Sequence, residues 1–137
     1  MDTGIVATPP AVRGFYDRAM WDSIAQRRMT LQCCEACAAW QYPPGPGCTV
    51  CGSEALAWKP LSGRATILSW VIFHRQYLPA YPAPYNAIAV RLAEGPVMIS
   101  NLDGAKPPAS WIGQAVSLTY VDMPDGAVLP RFVLSPA

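Results

Sequence analysis

The stretch that decides the fold runs from Cys34 to Cys51. It reads Cys34-Glu35-Ala36-Cys37, then ten residues, then Cys48-Thr49-Val50-Cys51. A two-residue gap within each pair lets a tight turn direct both sulfurs to one ion, and two facing pairs supply the four tetrahedral thiolates of a structural Zn²⁺ site. The gap of ten between the pairs is shorter than the usual ~15–20 residues, but Pro43-Pro44-Gly45-Pro46-Gly47 is able to reverse the chain sharply. We therefore predict a compact zinc ribbon with Cys34, Cys37, Cys48 and Cys51 as its ligands.

Structural zinc is favoured over three other uses of these cysteines. A disulfide framework is disfavoured because the chain has five cysteines, an odd number, and its start shows no signal-peptide pattern. A redox pair is disfavoured because two matched copies occur without the βαβ pattern of a thioredoxin. Iron, as in rubredoxin-type sites, stays open as a minor alternative. Four sulfur ligands leave no position for water, so the metal is expected to be structural.

Composition bounds the classes of function. The chain has 137 residues, of which 52% are apolar and 14% charged, well below the usual ~25% charged residues. Some apolar surface is therefore expected to meet a partner. The net charge is +1 and the chain has only two lysines, Lys59 and Lys106. It therefore lacks the clustered basic residues with which proteins bind nucleic acid. No apolar run reaches the ~20 residues of a membrane helix, and we expect a cytoplasmic protein that binds neither membrane nor nucleic acid.

One helix is predicted, over residues 14–28, where Phe15, Met20, Trp21 and Ile24 recur at mostly helical spacing. Residues 1–12 form a loose lead-in. Two interpretations of the helix stay open. Its aromatic residues pack on the chain's own core, or Phe15, Tyr16 and Trp21 dock onto another subunit.

The rest of the chain has the composition and alternation typical of strands, and the fifteen prolines of the whole chain argue against a helical bundle. Trp40 and Tyr42, between the cysteine pairs, are predicted to cover the metal site. We expect the N-terminal lead-in and helix in residues 1–29, the zinc ribbon in 30–60 and a β-domain in 61–137.

The β-domain is predicted to contain five strands. The first is apolar at both sets of alternate positions, so it is expected to be buried on both faces or covered by a partner. Residues 76–84 form a stiff, exposed aromatic loop, and residues 102–111 form a crossover with room for one helical turn. Five strands with a longer third connection match the OB barrel, although another small β-barrel fits the pattern equally well. The predicted strands cover residues 65–74, 86–92, 96–101, 114–121 and 128–134.

A specific combination of motifs resembles the DUF35 family, the acyl-CoA-associated OB-fold proteins with a rubredoxin-like zinc ribbon. The resemblance covers roughly residues 14–135. Ala38 is a departure, because the family usually has glycine after the first cysteine pair, and this puts the turn in question rather than the ligands. The motifs are Leu31-Gln32, Cys34-x-x-Cys37, Tyr42-Pro43-Pro44, Cys48-x-x-Cys51-Gly52-Ser53, Trp58, Ser62-Gly63-Arg64-Ala65-Thr66, His74-Arg75, Pro84-Tyr85, Ser100-Asn101-Leu102, Asp125-Gly126 and Leu129-Pro130.

The resemblance implies an accessory subunit that pairs with thiolase-superfamily enzymes, including thiolases, acyltransferases and lipid-transfer-protein-like aldolases. The catalytic residues then belong to the partner, and this chain supplies contacts that hold the complex together and help to shape a CoA tunnel. The sequence agrees, because we find no catalytic constellation. The single histidine, His74, has only Cys33 as a cysteine outside the metal set, and we interpret Cys33 as a small, partly buried side chain.

A few further residues are candidates for a ligand or partner surface. His74 is interpreted first as a hydrogen-bonded side chain at a barrel rim, and Arg64 first as a local salt bridge or turn contact. The alternative places them on a surface for CoA phosphates or the partner. Two competing functions are kept, a single-stranded nucleic-acid module and an enzyme using Cys33. The candidate surface residues are Arg64, His74, Arg75, Tyr77, Tyr85, Phe15 and Trp21.

Overall fold

The computed structural model describes residues 4–10 and 13–136, which form one helix and nine strands in two sheets. No helix within these residues is long and apolar enough to span a membrane. In chain order the elements are α1 (Arg18–Ala25), β1 (Thr30–Cys34), β2 (Trp40–Gln41), β3 (Leu56–Pro60), β4 (Arg64–Phe73), β5 (Tyr85–Leu92), β6 (Val97–Ser100), β7 (Leu102–Asp103), β8 (Ala115–Asp122) and β9 (Val128–Leu134).

The first sheet is the ribbon, an antiparallel sheet of order β2-β1-β3. Strand β1 is central, and Thr30 to Cys34 pair with Pro60 to Leu56 of β3. One cysteine pair lies at and after the end of β1, and the other lies between β2 and β3. The ladder thus brings both turns to the same end of the sheet.

The second sheet has six strands in the order β6-β5-β4-β8-β9-β7. Its two edges, β6 and β7, are separated in sequence only by Asn101, so the chain itself closes the sheet into a barrel. Ser100 Oγ donates to the Pro130 carbonyl at 2.9 Å, and Phe132 N–H donates to the Asn101 carbonyl at 3.1 Å. The predicted mainly β fold, with one helix, a four-cysteine ribbon and an OB-fold domain, is confirmed.

Two local predictions for the barrel are corrected. The crossover after residue 101 holds the short strand β7, parallel to β9, and no helical turn forms within residues 102–111. Of the two expectations for the long strand β4, burial on both faces is wrong, and coverage by a partner stays a prediction. Ala65 and Ile67 are buried, but Leu68, Trp70, Val71 and Ile72 are exposed, because β8 pairs with β4 only from Arg64 to Thr66.

Helix α1 is shorter than the predicted 14–28 at both ends, and its C-terminal end is fixed by backbone geometry. Arg27 takes φ +59°, and Arg28 N–H donates to the Ser23 carbonyl at 3.0 Å, which is the hydrogen bond of a Schellman end. Met20 and Ile24 are buried, and half-buried Trp21 packs against the same core. The interpretation that these aromatic residues pack on the chain's own core therefore holds for Trp21. Phe15 lies before the helix and is 88% exposed, and its docking onto another subunit stays a prediction.

A single apolar core runs through the helix, the ribbon and the barrel. Met20 and Ile24 of α1 pack with Met29 and Leu31 at the start of the ribbon and with barrel residues such as Phe132. Trp40 and Tyr42, predicted to cover the metal site, also pack against this core. The junction is fixed by Met29 N–H, which donates to Tyr120 Oη at 2.7 Å. The ribbon is therefore an extension of the barrel core rather than an independent apolar unit.

Candidate metal centre and partner surface

Four cysteine sulfurs converge at the end of the ribbon sheet. The Sγ atoms of Cys34 and Cys51 lie 3.5 Å apart, as do those of Cys37 and Cys48. All four Sγ atoms lie within 4.8 Å of one another, and no disulfide joins any of the five cysteines. A tetrahedral zinc site with Zn–S bonds of ~2.3 Å has S···S edges of about 3.8 Å. The cluster therefore has the size and donor set of a four-thiolate zinc site.

The two turns that carry the sulfurs have the same backbone hydrogen bonds. In the first, Ala38 N–H donates to the Cys34 carbonyl and Cys34 N–H to the Ala39 carbonyl, both at 2.8 Å. In the second, Gly52 N–H donates to the Cys48 carbonyl at 2.9 Å and Cys48 N–H to the Ser53 carbonyl at 2.8 Å. Ala38 and Gly52 occupy equivalent left-handed positions, with φ values of +65° and +79°. The absence of glycine at position 38 therefore leaves the turn unchanged.

Ala38→Gly is expected to stabilise the zinc-loaded protein by about 0.5–1 kcal/mol, because an alanine Cβ is disfavoured at positive φ while glycine is not. The measurement is the free energy of unfolding in urea at saturating zinc. Ala36→Gly is the matched control in the same turn, since Ala36 is exposed and has no positive φ, and it should destabilise the protein. A variant Ala38→Gly no more stable than the parent would contradict this view of the turn.

Backbone amides prepare two of the sulfurs for metal binding. The N–H groups of Cys51 and Val50 lie 3.4 Å from Cys48 Sγ and lower the pKa of the Cys48 thiol to about 6. The N–H of Cys37 likewise lowers the pKa of the Cys34 thiol. Because the thiolate is the form that binds metal, these amides favour the ligand state of Cys34 and Cys48, whereas side-chain hydrogen bonds to neighbouring cysteines raise the pKa of the Cys37 and Cys51 thiols.

A buried pair of amide side chains holds the proline–glycine loop between the turns, and the sequence reasoning gave it no role. Gln41 Nε2 donates to Gln32 Oε1 at 2.8 Å. Gln32 also bonds both backbone groups of Gly45 at 2.9 Å, and Gln41 Oε1 accepts from Thr49 N–H at 3.1 Å. A glutamine within an otherwise apolar or cysteine-rich strand could have indicated this role, because a buried amide side chain needs several hydrogen-bond partners.

Cys33 does not belong to the metal cluster. It is buried, and its thiol donates to the Ala38 carbonyl at 3.6 Å. Among the residues that the structure describes, the group that could hold a metal ion consists of Cys34, Cys37, Cys48 and Cys51. The structure thus confirms that Cys33 is a small buried side chain, more fully buried than predicted.

A continuous series of aromatic ring contacts lies at the end of the barrel where β4 ends. Phe73 stacks on Tyr85 with ring centroids 5.0 Å apart, and Tyr77 meets the Phe73 ring edge-on at 6.1 Å. The Arg75 guanidinium lies 5.6 Å from the Tyr77 ring centroid. At the other side Tyr81 lies 6.3 Å from Tyr85, with Arg131 5.9 Å from the Tyr81 ring. We call these six residues the aromatic run.

The predicted surface residues do not form one site. Arg75, Tyr77 and Tyr85 come together in the aromatic run, whereas Arg64 lies at the opposite end of β4. Arg64 makes a turn contact through its backbone N–H to Ser62 Oγ at 3.2 Å, and the expected salt bridge is absent among the described residues. His74 is exposed, and no hydrogen bond to its imidazole forms within the described residues, so the predicted bond at the barrel rim is wrong. Sequence reasoning missed Phe73, Tyr81 and Arg131, because only the fold brings them together.

A cavity of about 500 Å³ opens beside the aromatic run. Its walls are mostly apolar and include Ile72, Tyr81, Trp111 and Val121, and its charged side chains are Lys106, Arg131 and Asp103. The cavity lies beside the part of β4 that β8 does not pair with, since Ile72 lines it and the pairing ends at Thr66. Its size falls in the range of ~300–1,000 Å³ typical of ligand pockets.

Comparisons with known proteins identify the two halves of this architecture. Residues 21–57 match the family model for the rubredoxin-like zinc ribbon domain of ChsH2. Residues 58–128 match the model for the C-terminal OB-fold domain of ChsH2. The protein is thus of the class that joins a zinc ribbon to an OB-fold domain.

Individual relatives carry the identification further. The chain is 34% identical over 117 residues to a probable enoyl-CoA hydratase alpha subunit from Thermomonospora curvata, covering 85% of this chain and 37% of that relative. It is 30% identical over 80 residues to a DUF35 domain-containing scaffold protein from Pyrococcus furiosus, covering 56% of this chain and 57% of that protein. A chain of the solved Ltp2-ChsH2(DUF35) aldolase matches with a TM-score of 0.81 and 31% identity, over 91% of this chain and 98% of that chain.

The chain therefore belongs to the DUF35 family, with the ribbon and OB-fold domains of its ChsH2-like members. The predicted zinc cofactor agrees with the ribbon match and with the four-cysteine cluster. The chain spans little more than a third of the length of the hydratase relative.

Proposed function

We propose that this chain is a non-catalytic accessory subunit of an acyl-CoA-processing enzyme, and that its partner is a thiolase-like subunit of the Ltp2 aldolase type. The match to nearly the whole of a chain in an Ltp2-ChsH2(DUF35) aldolase supports this partner. The names of its relatives, a scaffold protein and a CoA hydratase alpha subunit, support the accessory role and the acyl-CoA chemistry. The free thiolate cluster suits a reducing compartment, and we propose the cytoplasm.

One observation carries the proposal, the exposed apolar side chains in the second half of β4, residues 68–73. Trp70 and Ile72 are more than a third exposed, and Val71 is 51% exposed. On the same outer face as Val71, the neighbouring strands present Ala87 and Ala89 and then the exposed Ile99. Val71, Ala87, Ala89 and Ile99 thus form an apolar patch on the outward face, and Trp70 and Ile72 add exposed apolar area on the inward face of the same strand. Exposed apolar area of this kind marks a protein contact.

The potentially reactive side chains of this chain have structural roles. The zinc ligands fill a four-sulfur site with no coordination position left for substrate. The thiol of Cys33 is buried and bonded to a carbonyl in the ribbon, whereas His74 follows β4 in the barrel. The two do not form a nucleophile and base. We propose that the partner supplies the chemistry.

We also propose that the aromatic run contacts acyl-CoA at the subunit boundary. Arg75 and Arg131 lie at its two ends, where guanidinium groups suit phosphate. The rings between them offer flat apolar faces to an adenine or acyl group. This finer assignment is separable from the accessory role, since loss of CoA contact would raise KM without dissolving the complex.

Val71→Asp is expected to weaken binding to the Ltp2-type aldolase subunit encoded nearest to this gene by at least about tenfold, because a buried unpaired carboxylate costs more than ~1.4 kcal/mol. Binding would be measured by calorimetry, and acyl-CoA turnover by the mixture of both subunits. This chain alone should give no turnover.

Val50→Asp is the matched control, because Val50 is also an exposed valine but lies on the second zinc turn. It should bind the aldolase subunit like the parent chain. Turnover of acyl-CoA by this chain alone would refute the accessory role. Parent-like binding by Val71→Asp would remove β4 from the interface.

A further inference from the structure

The second half of β4, residues 68–73, is an open sheet edge. Beyond Ile67, whose N–H and carbonyl bond Gln114 and Gly113 at 3.0 and 2.8 Å, no strand within residues 4–10 and 13–136 pairs with this side of β4. Strand β5 continues along the other side as far as the pair Phe73–Tyr85. An edge of this kind presents unpaired backbone groups that are ready to accept another strand.

The register shows which backbone groups are open. Leu92 N–H of β5 donates to Pro96 towards β6, whereas Ala93 N–H donates to the Arg64 carbonyl of β4. By strict alternation along β5, Ala89, Ala87 and Tyr85 face β4, where they are aligned with Ser69, Val71 and Phe73. The N–H and C=O groups of Trp70 and Ile72 therefore point away from β5, into the gap left by β8.

The space below this edge fits the side chains of an added strand. Trp70 and Ile72 are aligned with Ile88 and Asn86 and share the inward face of the barrel. There Trp111 stacks on Trp70 at 4.3 Å, and Ile72 lines the cavity of about 500 Å³. A strand placed ~4.8 Å from β4 would direct every second side chain towards this cavity.

Charge defines the chemistry of the occupant. From Ala65 to Phe73 β4 carries no charged side chain, so charges along the added segment would be buried without partners. At the cavity rim the Lys106 ammonium donates to the Leu102 carbonyl at 2.6 Å and the Gly104 carbonyl at 3.0 Å. An ammonium has three donors, so one is left for a carboxylate on the occupant.

A second copy of this chain fits the edge less well. Two-fold pairing would place the β4 strands of both copies side by side. Each Trp70 is already stacked on its own Trp111, and each Ile72 already lines the cavity of its own chain, so neither strand offers an inward side chain to the other's cavity. The cavities would stay unfilled, which favours a segment of a different protein.

We infer that the open edge of β4, residues 68–73, binds an extended segment of the partner subunit as an additional strand. The segment has apolar side chains at alternate positions, which enter the cavity, and an acidic residue at Lys106. This inference rests on the proposed function and specifies how the partner binds. Such strand addition gives affinity through backbone hydrogen bonds and specificity through the pockets beneath.

The test compares Ile72→Pro with Ile72→Ala, using the Ltp2-type aldolase subunit as the probe. Both variants lose the isoleucine side chain, but only proline removes the N–H that points into the gap, and an edge position tolerates proline. Ile72→Pro should bind at least about tenfold more weakly than Ile72→Ala, because a backbone hydrogen bond is lost and the ring obstructs the added strand.

Amide hydrogen exchange of the parent chain gives a second readout that does not depend on how the variant folds. On addition of the aldolase subunit, the amides of Trp70 and Ile72 should become protected. The amides of Val71 and Phe73, already bonded to β5, serve as the internal control and should change little. Thermal unfolding of Ile72→Pro would show whether its fold is intact.

The outcomes separate the two proposals. If the parent chain binds the aldolase subunit but the two variants bind equally and Trp70 and Ile72 gain no protection, strand addition is wrong and the accessory role stands. If the parent chain does not bind the subunit, the proposed function fails and this inference fails with it. If Ile72→Pro converts a dimer of this chain into a monomer without weakening aldolase binding, a second copy occupies the edge and the partner assignment is wrong.

Discussion

Cys48→Ser is expected to abolish stoichiometric zinc binding and to unfold residues 30–58. Cys48 Sγ lies 3.5 Å from Cys37 Sγ and receives two backbone N–H groups, so its loss removes one corner of the tetrahedron and its supporting turn. Structural zinc contributes about 10–16 kcal/mol of apparent binding free energy that is linked to folding. Metal content by mass spectrometry and hydrogen exchange along the ribbon would measure both effects.

The damage should extend beyond the ribbon, because the ribbon and barrel share one core. Strand β1 carries Leu31, and Met29 precedes it. Both are buried among barrel residues such as Ile67 and Phe132. Because this core is continuous, the barrel has no apolar core that is independent of the ribbon. The unfolding midpoint of the barrel should therefore also fall in Cys48→Ser.

Cys33→Ser is the matched control, since Cys33 is a neighbouring buried cysteine outside the metal cluster. It should bind one zinc per chain and keep the ribbon protected from exchange. A Cys48→Ser variant with full ribbon protection and no bound metal would show that the ribbon does not depend on its ion. Loss of zinc from Cys33→Ser would show that the ligand set is wrong.

The sequence predicted those features that depend on short-range signals. The spacing of the cysteines defined four ligands that the fold brings within 4.8 Å of one another. Branched and aromatic runs placed all five predicted strands within about one residue of the ends of β4, β5, β6, β8 and β9. These signals act over a few residues, because they reflect turn geometry and side-chain alternation.

The features that it did not predict depend on contacts between distant segments. The exposure of β4 follows from where β8 stops pairing, at Ala115, some fifty residues later in the chain. The aromatic run needs Arg131 beside Tyr81, and the shared core needs Leu31 beside barrel residues. The early end of α1 at Arg27 uses a left-handed residue that is not glycine, for which the local sequence carries no strong signal.

Phe132→Ala is expected to destabilise the zinc-loaded protein by about 3–5 kcal/mol, the range for removing a buried phenylalanine. Phe132 is 0% exposed, lies beside Leu102 of β7 and Leu118 of β8, and its N–H closes the barrel on Asn101. Its side chain is anchored where the sheet edges meet, so the neighbouring strands have little freedom to collapse into the space. Because a domain is stable by only ~5–15 kcal/mol, this single change should remove a large fraction of the total.

Phe73→Ala provides the contrast within the same barrel. Phe73 is half-buried at the end of β4, and its ring contacts are with Tyr85 and Tyr77, so its removal should cost less than about 1.5 kcal/mol. Urea unfolding of both variants at saturating zinc would compare the two free energies. Equal losses would mean that the barrel core does not centre on Phe132. A small loss for Phe73→Ala together with weaker aldolase binding would mean that this end of the barrel is maintained for the partner rather than for stability.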